Sequence, residues 1–283
     1  VRLWNSQTGG EVNSFGGHTA NVNDIAFSPD GRTAITASDD NTLRLIDLAH
    51  GLELERYNGH AFDVIQSQFI GDGSRAVSAA WDDTTIIWDL ATGDIQQQIS
   101  SNGFLDLVDI NSDGTRMAFA DQVVDDNAGA YLINLESGET TTTFDVHEGI
   151  VAWIDISPDD TLVASSTYGE ESAFIWDANT GELVHELPVG SPSFHVAFSP
   201  DTALLASSSN SSSTILWDVE SGEEVKRVSV GGADIGQATF SPDGSSILLQ
   251  VGNRLVLMDI ESENVLATFD GHSGSIRSYT YSQ

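Results

Sequence analysis

The sequence predicts an all-β ring of repeated four-stranded sheets, and three markers in phase with one another predict it. The first is a turn, Ser-Pro-Asp-Gly or a relative, whose aspartate falls at Asp30, Asp72, Asp113, Asp159, Asp201 and Asp243. The intervals are 42, 41, 46, 42 and 42 residues, the length of one supersecondary unit that must stack on its neighbours. The second is an apolar run ending in Trp-Asp or a substitute, at Leu45-Ile46-Asp47, Ile87-Trp88-Asp89, Ile133-Asn134, Ile175-Trp176-Asp177, Leu216-Trp217-Asp218 and Leu257-Met258-Asp259. A glycine turn follows most of these. The third is Gly-His, at Gly17-His18, Gly59-His60 and Gly271-His272.

Within one period, residues 22–28, 33–38, 42–47 and 52–57 are short runs of β-branched and apolar residues divided by Gly, Asp and Asn turns. Asp-Gly and Asp-Asn supply the positive φ of tight hairpins. No apolar pattern holds a helical period for three turns. Four strands per period make one propeller blade, which leaves both faces partly bare unless blades stack radially. Six complete blades are expected at about 21–57, 64–99, 105–144, 150–188, 193–229 and 235–269.

With these markers the chain resembles the WD-repeat family along essentially its whole length. The resemblance implies a seven-bladed propeller closed by pairing the two ends, and says little about function because this fold hosts many partners. A closing blade then comes from residues 1–15 and 275–282: Val1-Arg2-Leu3-Trp4-Asn5 matches a third strand and 276–282 a first. The counterparts of residues 30–42, one second strand with its turns, have no match. Unpaired backbone in a buried sheet costs about 1–3 kcal/mol per group. The expectation is that the polypeptide continues beyond Val1 or Gln283, as the lack of an initiating Met also suggests, or that a partner donates the strand.

Composition narrows the function. Forty-three acidic residues against 10 basic give a net charge of −33, with Lys226 the single lysine. Such a surface repels phosphate backbones and anionic lipid, so nucleic-acid binding and membrane insertion are not expected. It favours solubility, cationic partners and tolerance of salt. No run approaches the roughly eighteen apolar residues of a membrane helix. The absence of cysteine removes disulfides and thiol chemistry without naming the compartment, which stays open between extracellular and cytoplasmic, a bacterial origin being one reading.

The resemblance further implies a buried hydrogen-bond chain of a Gly-His histidine, a second-strand Ser or Thr, a turn Asp and the third-strand Trp. Matched here, the chain is degenerate. His18, Ser38 and Asp40 face Ile46 in place of Trp; His60, Asp82 and Trp88 face Ala80 in place of the hydroxyl; His272 pairs with Trp4 across the closure. These residues are expected to be structural. No Gly-x-Ser-x-Gly elbow accompanies them, so no catalytic residue is expected. The carboxylate pairs Asp39-Asp40, Asp82-Asp83 and Asp125-Asp126 lie in turns, where neighbouring side chains diverge, and no calcium loop or zinc spacing occurs. Neither metal nor cofactor is expected.

Partner binding is expected on the face where the segment after Gly-His and the turn between second and third strands emerge. That places Phe62, Trp81 and Phe104 beside Asn21, Asp39, Asp63 and Asp234, with Trp153 and His195 near the channel mouth. Exposed aromatics ringed by acids suit cationic or apolar anchors, although packing of Trp81 or Trp153 between blades is the competing expectation. An extended turn at Asp121 to Gly129 accounts for the 46-residue interval. Tyr168-Gly169-Glu170-Glu171 is a similar elaboration, and Asn210-Ser211-Ser212 matches a glycosylation acceptor. The favoured function is a non-catalytic scaffold or sensor that binds a peptide, a protein or a basic segment, within a larger polypeptide or assembly. The alternatives are a polymer subunit joined by strand exchange at the closing blade, and a propeller accessory to a hydrolase.

Overall fold

The structure, a computed structural model, describes residues 1–100, 104–111, 113–122, 129–144, 147, 149–192, 195–209 and 211–282, with the side chains at 104–107 and 121–122 outside that description. Among the described residues every regular element is a strand or a turn. Six four-stranded antiparallel sheets follow one another along the chain, and a two-stranded sheet, Arg2–Trp4 with Glu11–Ser14, completes the set. Each blade is a meander in chain order, as in Val64–Ile70, Arg75–Ala80, Thr84–Asp89 and Ile95–Ser100.

The repeated aspartate builds the turn between first and second strands. Asp30 accepts the Ser28 hydroxyl at 2.7 Å, and Asp159, Asp201 and Asp243 repeat the contact with Ser157, Ser199 and Ser241 at 2.7, 2.6 and 2.6 Å. With its exposed carboxylate held by these hydroxyl and backbone donors, Asp243 is lowered to about 2. The next residue must adopt positive φ, which Gly31 and Gly244 do at 66° and 70°. Asp160 and Thr202 occupy the same place at 62° and 61°, a strained conformation for a side chain with a Cβ.

Blade stacking makes the core. One cluster joins Ile35, Leu43 and Tyr57 of the first blade to Val64, Ile86 and Trp88 of the second. Another joins Leu132 and Phe144 of the third to Ile154, Phe174 and Trp176 of the fourth. The remaining clusters repeat the arrangement between neighbours around the ring, the last joining Leu257 and Phe269 of the sixth blade to Trp4, Ile276, Tyr279 and Tyr281.

Two local differences from expectation have physical reasons. The sixth blade's first strand is only Ala238–Phe240, because Ile235 forms a bridge to Ser211 on the preceding blade instead. Residues 276–282, expected as the first strand of the closing blade, carry no ladder, because no strand stands between them and Arg2–Trp4. Side chains anchor them instead. Gln250 Nε2 donates to the Ile276 carbonyl at 2.8 Å, Tyr279 Oη to the Leu248 carbonyl at 3.1 Å, and Ser278 Oγ to Asp24 at 2.6 Å. The segment thus ties the sixth blade to the first. The side chains of Phe104, Asp121 and Gln122, and residues 123–128 and 210 entirely, lie outside the described residues.

Thr202→Gly relieves the strained turn and is expected to stabilise the protein by roughly 0.5–1 kcal/mol, the left-handed penalty outweighing the added freedom of the unfolded chain. Urea unfolding checks this; a lower midpoint contradicts it.

Candidate functional site

The first strands line a channel of about 200 Å³. Acceptors on the first four blades reach the backbone of the next. Asp24 Oδ2 accepts Ser67 N at 2.9 Å, Gln66 Oε1 accepts Val108 N at 2.7 Å, Asp109 Oδ2 accepts Ile156 N at 2.7 Å, and Asp155 Oδ2 accepts Phe198 N at 2.7 Å. These staples hold four successive blade junctions. Burial pushes all three carboxyls up: Asp24 above the ordinary value, Asp109 to about 6, and Asp155 well above it, the last also through the charge of Asp109. Trp153 stacks on His195 in the same wall, with ring centroids 4.4 Å apart. His195 is only 6% exposed and burial lowers it to about 3, so it is neutral. This pair, expected near an open mouth, therefore lines the channel wall, and burial removes His195 from the outward-facing set.

The hydrogen-bond chain is complete in the second blade, which corrects the expectation from Ala80. Trp88 Nε1 donates to Ser78 Oγ at 2.8 Å, Ser78 Oγ lies 2.7 Å from His60 Nε2, and His60 Nδ1 lies 3.1 Å from Asp82. The hydroxyl sits two residues earlier on the same strand face. The same shift places Thr36, not Ser38, against His18 Nε2 at 2.9 Å; Ser38 Oγ instead accepts Asp40 N at 3.1 Å. In that first blade Arg44, buried between Asp40 at 3.5 Å and Glu53 at 2.5 Å, stands in the core where the Trp is absent. A further histidine, His147, has no glycine before it and escapes the sequence pattern. Its Nε2 lies 3.1 Å from Ser165 Oγ, which accepts Trp176 Nε1 at 2.7 Å. The signal that finds it is the constant 18-residue spacing from histidine to hydroxyl at 18/36, 60/78 and 147/165. Ser78, His60 and Asp82 have the bonding order of a hydrolytic triad, but Ser78 is fully buried under Trp88, so no substrate reaches its oxygen.

One open cluster remains. Phe62 and Trp81 are 62% and 50% exposed on neighbouring turns of the second blade, which Trp81 N joins by donating to the Asp63 carbonyl at 3.0 Å. Asp82 is engaged below with His60, while Asp83 is exposed. The fourth blade repeats the arrangement with exposed Ile150 and Tyr168, whose backbone donates to the Ile150 carbonyl at 2.9 Å. Asn21 and Asp39 pair with each other at 2.9 Å, and Arg277 lies 3.6 Å from Asp39. Asp234 is exposed. Among the described residues no group of three or more His, Cys, Asp or Glu is arranged to hold a metal ion, and no helix is long and apolar enough to cross a membrane.

Four-stranded blades that share their cores and are stapled to one another through their first strands define a β-propeller repeat protein. Residues 9–47, 51–89, 138–177 and 181–218 match the family described as WD domain, G-beta repeat, and these stretches cover more than half the chain. The protein belongs to the WD-repeat family. Among its relatives, eukaryotic translation initiation factor 3 subunit I of Culex quinquefasciatus is 40% identical over 17% of this chain and 14% of its own. Nuclear distribution protein PAC1 of Arthroderma otae is 43% identical over 17% and 11%, and apoptotic protease-activating factor 1 of Homo sapiens 44% identical over 16% and 4%. The chain thus matches a small fraction of each relative's length.

Ser78→Ala leaves two buried rings without their partner and is expected to destabilise the protein by about 2 kcal/mol or more, at about 1–3 kcal/mol per orphaned group; an unchanged urea midpoint contradicts the relay. Asp155→Asn tests the channel. A carboxyl whose folded pKa is raised makes the native state bind more protons than the unfolded one, so stability falls as pH rises from about 4 through the folded value. The substituted amide keeps an acceptor for Phe198 N and removes that titration. The variant is expected to gain stability relative to the parent as pH rises above the ordinary carboxylate range, and parallel pH–stability curves contradict this.

Proposed function

We propose that the protein is a non-catalytic interaction module that holds a basic, extended segment of a partner protein on its acidic upper face. The observation that carries this reading is the exposure of Phe62, with Trp81 half exposed, on two turns joined by the Trp81 N–H to the Asp63 carbonyl, and Asp83 exposed next to them in the chain. Large aromatics left in water forgo burial worth about 25 cal/mol per Å² and are favoured anchors when a partner covers them. The charge balance supports a cationic partner. Seven of the ten basic side chains already lie within 4.0 Å of a carboxylate in the chain, against a net charge of −33. A Lys or Arg then meets both an unscreened field and a ring face. One relative is by name a subunit of a larger factor, which supports a place within an assembly.

An array of Lys/Arg-rich peptides and their charge-reversed counterparts tests the reading. Binding is expected for the basic set, weakening with salt. Trp81→Ala is expected to cost about 1–3 kcal/mol of affinity with an unchanged thermal midpoint. Equal binding of acidic peptides, or a lowered midpoint with unaltered affinity, contradicts it.

A further inference from the structure

We propose that the central channel is a binding site for a free, short alkyl diammonium ion, which spans the ring between Asp24 and the pair Asp109 and Asp155. The proposal rests on the first strands of complete blades and stands independently of the upper face.

Six side chains of the channel wall make the site. They are Asp24 from the first blade, Ser67 from the second, Asp109 from the third, Trp153 and Asp155 from the fourth, and His195 from the fifth. The space they border, about 200 Å³, far exceeds the roughly 10–15 Å³ that one water needs. A small organic molecule fits. The wall is also over-supplied with acceptors. A carboxylate accepts about four hydrogen bonds, whereas Asp24 takes Ser67 N and Ser278 Oγ, Asp109 takes Ile156 N and Gln68 Nε2, and Asp155 takes Phe198 N. Two further polar atoms have no partner. Ser67 Oγ and His195 Nδ1 are buried without a hydrogen bond, on residues only 2% and 6% exposed. Buried orphans destabilise a fold unless something binds them, and a neutral imidazole can present Nδ1 as an acceptor. Among the described residues the channel wall holds no Lys or Arg to answer these acceptors.

The charges select the class of ligand. Asp109 and Asp155 stand on neighbouring blades, and the charge of the first pushes the second further up. The pair therefore keeps a proton and acts as one negative pole. Asp24 is the other pole, three blade junctions away and so across the channel. Two separated poles match a dication with one charge at each end, whereas the side chain of a partner's lysine brings a single charge. Trp153 is half-buried in the wall, two residues from Asp155 on the same strand and so on the same face. Its ring suits the alkyl chain and the nearer ammonium. A metal ion is the poorer match, because among the described residues no three His, Cys, Asp or Glu are arranged to hold one.

The probe is 1,4-diaminobutane, titrated calorimetrically into the intact chain at low ionic strength and neutral pH. One molecule is expected to bind per chain, about tenfold or more tighter than butylamine, which lacks the second charged donor. Asp24→Asn keeps an acceptor for Ser67 N, removes one pole, and is expected to abolish that preference. Ser67→Ala removes an orphan, so the thermal midpoint is expected to hold while binding weakens by about fivefold or more. Glu223→Gln, at an exposed turn of the fifth blade, is expected to leave affinity unaltered. Failure to bind at millimolar diamine, or a preference over butylamine that survives Asp24→Asn, overturns the proposal. So does a Ser67→Ala variant with unaltered affinity. Binding at many sites that weakens equally in Glu223→Gln overturns it in favour of attraction to net charge alone. Displacement by equimolar magnesium overturns it in favour of a metal ion, and equally tight binding of a lysine-containing peptide overturns it in favour of a partner's side chain.

Discussion

Among the described residues, no blade owns a hydrophobic core of its own. Each cluster of buried side chains is assembled from one face of a blade and the facing surface of the next, so a single sheet removed from the ring exposes two apolar faces at once. Burial of this kind is non-directional and sets no register by itself. Register comes from polar side chains at the centre. Asp24, Gln66, Asp109 and Asp155 each accept a backbone N–H from the following blade, and that contact exists only when neighbouring inner strands stand at the right height. The cost is three carboxyls held where charge is disfavoured. Apolar slabs and channel staples together make the ring one unit.

A second polar system works within blades. The Trp–Ser–His relay runs from the third strand through the second to the segment before the first, and so fixes the upper turns relative to the sheet. Where the Trp is lost, as at Ile46, a buried Arg44 bridging Asp40 and Glu53 takes over part of the task with charge. The rigid frame explains how aromatic residues stay exposed above it. Phe62 and Trp81 sit on turns whose backbones are bonded to each other and whose lower residues are locked in the relay, so they cannot fold inward.

Much of this was legible in the chain. The recurrence of the Asp turn every 41–46 residues located six blades, because that aspartate accepts the backbone N–H two residues on each time. That the end segments form a partial blade-like sheet was legible by laying Val1–Asn5 and Glu11–Phe15 on a complete repeat. The relay hydroxyl was misplaced because strand residues two apart share a face: Ser38 and Thr36, or Ala80 and Ser78, are equivalent to a pattern that sees only alternation. His147 was invisible to a Gly-His search because Val146 precedes it. The channel carboxylates carried a weaker signal, a lone Asp inside an apolar run, as in Ile154-Asp155-Ile156, which reads as an ordinary strand until neighbouring blades are placed beside it.

Backbone amide hydrogen exchange followed by mass spectrometry tests the central claim, that the blades stand only by leaning on one another around a ring. The account predicts that peptides from the third strands of the six complete blades lose protection together. A complete blade that keeps its protection after its neighbours have lost theirs contradicts it.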